Sequence, residues 1–295
     1  MNQPDFSARD QVVKHNIYAS VRRRDGLPHE FFANYWRDVH STLCSRLPGL
    51  NFYVQQHFDR DYYANIWPVA DGVRRIEAKL DGSAELGFAN LQEQAVFAHA
   101  GTILYGDESN FIGEAVAYNL PNGSLTLVDK DEDAVRNGPD PFHRIHLYIS
   151  RKPGQDTTTW LTETNTALAK RDAVVKWKLH LPEPYNNDKP SPPSPNVEHF
   201  VESDRLNLAI AEIAFVSPLA AKSLFSSSTF KEVLGDQARY VDAIGAYLVT
   251  GFYTFVRDGQ PTLAGLRGSR PAELITALGA VNQLDATVTG MFAPR

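Results

Sequence analysis

The residues of this chain best suited to move a proton are His40, Tyr35 and His57, and the first two share the stretch Glu30-Phe31-Phe32-Ala33-Asn34-Tyr35-Trp36-Arg37-Asp38-Val39-His40. His40 follows Trp36 by four residues and Phe32 by eight, so in a helix the imidazole shares a face with two aromatics. Partly desolvated in this way, it can act near neutral pH as a general base on a proton beside a carbonyl, or as the acid that protonates a leaving hydroxyl. Tyr35 could donate a hydrogen bond to a developing enolate oxygen. Phe32, Trp36 and Tyr53 would wall the pocket, and Tyr62, Tyr63 and Trp67, in an aromatic stretch from Asp59 to Val73 read as a loop, would enclose the substrate. The competing readings are structural: a core histidine satisfied by backbone groups, and a tyrosine packed amphipathically.

Holding these residues requires a strand, a helix and a second strand. Asn16 to Arg22 alternates, with Ile17, Ala19 and Val21 on one face. Pro28 and Pro48-Gly49 bound a helix running to Leu47, and the next strand puts Phe52, Val54, Gln56 and Phe58 opposite Tyr53, Gln55 and His57. Asp81 to Ala89 reads as a strand, Leu91 to Leu104 as a helix, and Ala115 to Leu120 with Ser124 to Val128 as a strand turned at Pro121-Asn122-Gly123. The same β-α-β-β-α-β order recurs. A strand from Arg144 to Arg151 precedes a helix from Asp156 to about Lys170, strands Val174 to Leu181 and Leu206 to Phe215, a helical region from Pro218 to about Ile244, and a strand from Gly251 to Val256. Six prolines between Pro182 and Pro195 exclude a sheet strand there.

The recurrence extends to residues. Arg23-x-x-Gly26 and Arg151-x-x-Gly154, Glu85-x-x-Phe88 and Glu212-x-x-Phe215, and Gly106-Asp107 and Gly235-Asp236 repeat at spacings of 127 to 129. At that spacing Leu168 stands where the first copy has His40, Glu163 where it has Tyr35 and Thr164 where it has Trp36, so the fold does not itself demand the histidine. His57 and His180 occupy matching strands, as do Glu85 and Glu212. Retention in both copies favours structural hydrogen bonding, with His57 as a third catalytic candidate and Glu85 as a substrate contact or base.

Bulk properties narrow the functional classes. The 295 residues, 43% of them hydrophobic, suffice for a sizeable core, and a net charge of −6 with dispersed basic residues offers no footprint for nucleic acid or an anionic membrane. One cysteine, Cys44, and a polar N-terminus without an apolar leader lead us to expect a soluble cytoplasmic protein. The nine histidines show no His-x-x-x-His or Glu-x-x-His spacing, and no Walker or Gly-x-Gly-x-x-Gly loop is present. No metal, nucleotide or flavin is therefore expected.

The string Arg24-Asp25-Gly26-Leu27-Pro28-x-Glu30-Phe31-x-x-Tyr35-Trp36-x-x-x-His40, followed by Leu47-Pro48-Gly49-Leu50 and Tyr53-Val54-Gln55-x-His57, resembles the signature of the EthD family. Asp81-Gly82-x-Ala84-Glu85-Leu86-x-Phe88 and Asp107-Glu108-x-x-Phe111 are similar to its later motifs, so the likeness spans roughly Lys14 to Val128. The resemblance implies an α+β fold, a dimeric α+β barrel that two ferredoxin-like units would form within one chain. The expected domains are a motif-bearing unit over 12–135, a degenerate unit over 140–258 and a C-terminal extension, 259–295, packing across the barrel or a dimer seam. In such a barrel His57 and His180 would line the seam. The function expected is a cofactor-independent lyase or dehydratase, cyclase or isomerase acting on a small hydrophobic, aromatic or polyketide-like carbonyl compound. The alternatives are a non-catalytic accessory or binding protein, and a haem protein using His40, His180 or His199. A homodimer is among the expected states, and the tail would be one place for its seam.

Overall fold

Alternation of apolar and polar residues builds one long sheet path whose two ends belong to the same stretch of chain. The computed structural model describes residues 4–63 and 67–292, without the side chains at 62 and 63. In chain order the main elements are β1 (His15–Arg23), α1 (His29–Tyr35), a π-helical turn (Trp36–His40), α2 (Ser41–Cys44), β2 (Phe52–Tyr63), β3 (Gly82–Phe88), α3 (Leu91–Ala100), α4 (Thr102–Glu108), β4 (Ile112–Leu120) and β5 (Ser124–Asp129). There follow β6 (His143–Arg151), α5 (Thr157–Ala169), β7 (Val174–His180), β8 (Leu208–Phe215), α6 (Pro218–Ser226), α7 (Ser228–Val233), β9 (Val241–Arg257), α8 (Leu263–Arg267) and α9 (Ser269–Ala277).

The strand order is β4-β1-β3-β2-β9-β6-β8-β7-β5. Each half has the fourth-first-third-second order of a βαββαβ unit, so two ferredoxin-like units form the barrel within one chain. Their junctions share one device. The 17-residue β9 pairs with β6 through its first half and with β2 through its second. In the first unit that crossing strand is broken by the turn at 121–123 into β4, which pairs with β1, and β5, which pairs with β7. The path thereby closes on itself.

Alternation then decides which face each residue sees. Ile17, Ala19 and Val21 of β1 meet the first unit's helices, while Asn16, Tyr18 and Ser20 point into the barrel. The second unit's helix layer is filled by Ile145, Leu147, Ile149, Trp177 and Phe215. The remaining edge of β4 is covered by the proline-rich segment: the Ala117 and Ala115 amides donate to the Ser191 and Glu198 carbonyls at 2.8 and 3.0 Å. No helix among the described residues is long and apolar enough to cross a membrane.

Two expected boundaries move. β2 runs on to Tyr63, into the stretch read as a loop, and the helical region after Pro218 ends by Tyr240, with β9 beginning at Val241. Val241 to Val249 is almost wholly apolar, and a continuous apolar run carries no period to tell a buried strand from a buried helix. The C-terminal segment lies against the first unit's helix. The Ser45 hydroxyl donates to the Gly265 carbonyl at 2.8 Å and Arg46 donates to that of Leu266 at 2.6 Å.

Gly82 ties the fold to the helix that carries His40. A Cβ there would stand 2.5 Å from both the Gln56 carbonyl oxygen and the Trp36 ring. Gly82→Ala should therefore cost about 1–3 kcal/mol through overpacking. Urea unfolding would read this as a lower midpoint, and a midpoint equal to wild type would show that the strand and Trp36 yield freely.

Candidate active site

His40 lies at the end of a π-helical turn, where the Ser41 amide bonds back to the Trp36 carbonyl. Such a turn widens the helix by one residue and recurs at functional sites. Here it brings the buried imidazole to α4. His40 Nδ1–H donates to Asp107 Oδ2 at 2.8 Å, and the Tyr35 hydroxyl donates to Asp107 Oδ1 at 2.6 Å. Burial alone would raise the Asp107 pKa, but the hydrogen bonds from His40 and Tyr35 prevail and hold it below the ordinary carboxylate value. An ionised Asp107 fixes the proton on Nδ1 and leaves Nε2 as the basic nitrogen. That nitrogen has no hydrogen-bond partner among the described residues.

His40 borders a cavity of about 100 Å³ walled by Ile17, Ala19, Val21, Ala84, Leu86 and Leu104. Trp36, Tyr53, Cys44 and Tyr105 also border it, Glu108 supplies a carboxyl group, and Ser191 and Pro192 close it from the second unit's proline-rich segment. The wall is mostly apolar, and the titratable groups on it are desolvated. Burial pushes the Glu108 carboxyl up, offset only in part by His40 and by the Ser194 hydroxyl that donates to its Oε2. The Cys44 thiol is likewise pushed up by burial and is no nucleophile.

Of the expected site residues, His40, Trp36 and Tyr53 come together at this cavity. Tyr35 does not line it. Its hydroxyl is committed to Asp107, which also raises the tyrosine's pKa, so it orients the carboxylate in place of meeting a substrate oxygen. Phe32 supports Trp36 from behind, with ring centres 5.5 Å apart. The expectation for His57 also needs correcting. It stacks on Trp36 at 4.7 Å without lining the cavity, and burial, followed by the charge of Arg37, lowers its pKa to about 3. A ring so resistant to protonation makes a poor base at neutral pH.

Nor are His57 and His180 equivalent. Glu85 pairs with Val54, and Glu212 pairs with Lys178. With the two glutamates as anchors, His180 corresponds to Gln56 and faces the barrel, whereas His57 faces the helices.

Glu85 is a second correction. Ala84 and Leu86 face the cavity, so the residue between them must point the other way, and it accepts from Lys178 at 2.6 Å and Asn16 at 2.7 Å inside the barrel. Trp67 is the third. It packs on Phe225 and Phe230 at 5.2 Å each, in the second unit's core. With Trp177 it fills the counterpart pocket, where about 10 Å³ remains beside Leu168, Thr164 and Gln237. Tyr62 and Tyr63 have side chains outside the described residues.

In the sequence, Asp107 and Glu108 stand out only as part of the motif Asp107-Glu108-x-x-Phe111. Their signal was available in part, since Leu104 and Glu108, four apart on a helix, share a face. Of the three histidines considered for haem, only His40 borders the cavity. His199 has both ring nitrogens on backbone carbonyls, at 2.6 and 3.0 Å, and His180 bonds Ser124 at 2.8 Å within the barrel. Glu85, His180 and Glu212 have ligand atoms within 4.8 Å of one another, but Lys178 and Arg144 already neutralise both carboxylates.

Residues 24–115 match the family model described as the EthD domain. No curated protein matches the chain significantly. Among solved structures, a protein of Fusobacterium nucleatum subsp. nucleatum described provisionally as a monooxygenase is similar over 85% of this chain and 97% of its own, with 8% identity and a TM-score of 0.51. An anthrone oxidase-like protein is similar over 85% of this chain and 96% of its own, with 10% identity and a TM-score of 0.48. The first of these likenesses, at 8% identity, is one of fold alone.

Proposed function

We propose, with an EthD domain over residues 24–115 as the premise, that the chain is a cofactor-independent enzyme of the lyase, cyclase or isomerase type. In this reading His40 Nε2 removes a proton next to the carbonyl of an apolar, aromatic or polyketide-like compound held in the first unit's cavity. The observation that carries the proposal is the pairing of His40 Nδ1 with Asp107 while Nε2 is left without a partner. Asp107 stabilises the imidazolium once it forms, Tyr35 fixes Asp107, and the apolar wall keeps water from competing for the proton. Trp36 and Tyr53 offer flat surface to a planar substrate. The second unit, with its own pocket filled, supplies part of the cavity's rim through Ser191 and Pro192.

The test needs no knowledge of the natural substrate. Wild-type protein incubated with 1-tetralone in D₂O should accelerate loss of the proton signal at the carbon beside the carbonyl, in a saturable manner. Exchange no faster than in buffer, for this and for related bicyclic ketones, would count against a base in the cavity.

A further inference from the structure

We infer that Glu108 is the proton donor that works opposite His40, and that the substrate is a β-hydroxy ketone from which the two residues remove water. The inference rests on the reading of His40 as a base and adds a second catalytic residue and a substrate class to it.

Three observations converge on Glu108. It borders the same cavity as His40 and is 9% exposed, so its carboxyl group meets whatever the cavity holds. The Ser194 hydroxyl donates to Oε2, and Oε1 has no hydrogen-bond partner among the described residues, which leaves one oxygen anchored and the other able to carry a proton. Burial, the largest cause, and the charge of Asp107 favour the protonated acid and prevail over positive charge on His40, the Ser194 hydroxyl and His199.

The second unit supplies the comparison. Gln237 stands in its residual pocket beside Leu168, as Glu108 stands beside His40. It is buried, and its Oε1 accepts from the Ala70 amide at 3.0 Å. An amide keeps the hydrogen bonding of the position but cannot donate an acidic proton. The unit without the base therefore also lacks the acid.

A base and an acid in one apolar-walled cavity suit elimination. His40 Nε2 takes the proton from the carbon between the carbonyl and the carbinol carbon, the electron pair forms the C=C bond, the C–O bond breaks, and the Glu108 proton goes to the departing hydroxyl as water. The imidazolium proton then returns to the Glu108 carboxylate through that water. Atoms and charge balance without an oxidant or reductant, and the product is a conjugated enone.

The experiment uses 4-hydroxy-4-phenylbutan-2-one in D₂O, with NMR reporting deuterium uptake beside the carbonyl and enone absorbance reporting elimination. Exchange needs only the base. Glu108→Gln, a substitution that the second unit already carries at this position, should lower elimination by about 10²–10⁴-fold, and by at least about tenfold more than it lowers exchange. Elimination within about tenfold of wild type would overturn the role of Glu108 and leave the His40 reading intact, as would equal loss of exchange and elimination. A wild-type protein that neither exchanges nor dehydrates the probe would overturn the base and, with it, the acid.

Discussion

Replacing His40 with alanine should lower catalysed exchange of the ketone probe by about 10²–10⁴-fold, the usual contribution of a positioned general base, with no loss of the folded state. The fold should tolerate the change because Leu168 occupies the same helical position in the second unit and is itself buried. Asp107→Asn separates geometry from chemistry. An asparagine amide could donate to Nδ1, which would place the proton on Nε2 and turn the base into a donor, so the variant should approach His40→Ala in kcat while KM stays close to wild type. Tyr35→Phe removes one of the three hydrogen bonds on the Asp107 carboxylate, the others coming from His40 and Asn110, and should cost less. Full turnover by His40→Ala with an unchanged fold would end the proposal. Full turnover by Asp107→Asn alone would leave His40 as a base that needs no orienting carboxylate.

How far this site could be read in advance depended on the range of the contacts. Short periods were sufficient for the faces of strands. Ile17, Ala19 and Val21 fall on one face of β1 by alternation, and that face walls the cavity. The same rule, applied to Ala84 and Leu86, would have turned Glu85 away from the pocket. Its retention beside Glu212 favoured structural hydrogen bonding, which is the part that its bonds to Lys178 and Asn16 inside the barrel match. The match of His57 to His180 failed because the two units differ in length before their second strands, and a one-residue slip in a strand exchanges its faces. Trp67 and Asp107 were beyond any local pattern. The first belongs to one unit and fills the other, and the second meets His40 across 67 residues of chain. The π turn that brings His40 to Asp107 has no signature in propensity.

The barrel interior carries the largest stability effect. Arg144, 1% exposed, donates to Asp140 and Glu212, with Asp131 at 3.7 Å, and Lys176 approaches Glu212 at 3.7 Å. Arg144→Met should destabilise the protein by about 3–5 kcal/mol, because it strands carboxylates that cannot recover water. Adding Glu212→Leu should restore part of that loss, since an apolar pair of similar volume is often no worse than a buried ion pair. A single variant within about 1 kcal/mol of wild type, or a double variant no better than the single, would contradict the account.

The same cluster sets a direction for pH. Burial lowers the pKa of His146 and of His180 to about 3, from 6.5. Both rings therefore stay neutral in the folded barrel, while the unfolded chain takes up protons below about pH 6.5. Glu212, although burial opposes ionisation, is held below the ordinary carboxylate range by Lys176 and Arg144. Its contribution is present above the unfolded value and lost as pH falls below it. All three groups make the unfolded state bind more protons in acid, so stability should be greatest above about pH 6.5 and fall toward pH 3, by up to about 1.4 kcal/mol per pH unit for each group in its own window. Glu85, whose pKa burial raises, offsets part of this. Urea midpoints measured from pH 7.5 to 4 should decline steadily, and in Arg144→Met, where Glu212 has lost a partner, the decline below pH 5 should flatten. A midpoint independent of pH over that range would mean that these groups take up protons in the folded barrel as readily as in the unfolded chain.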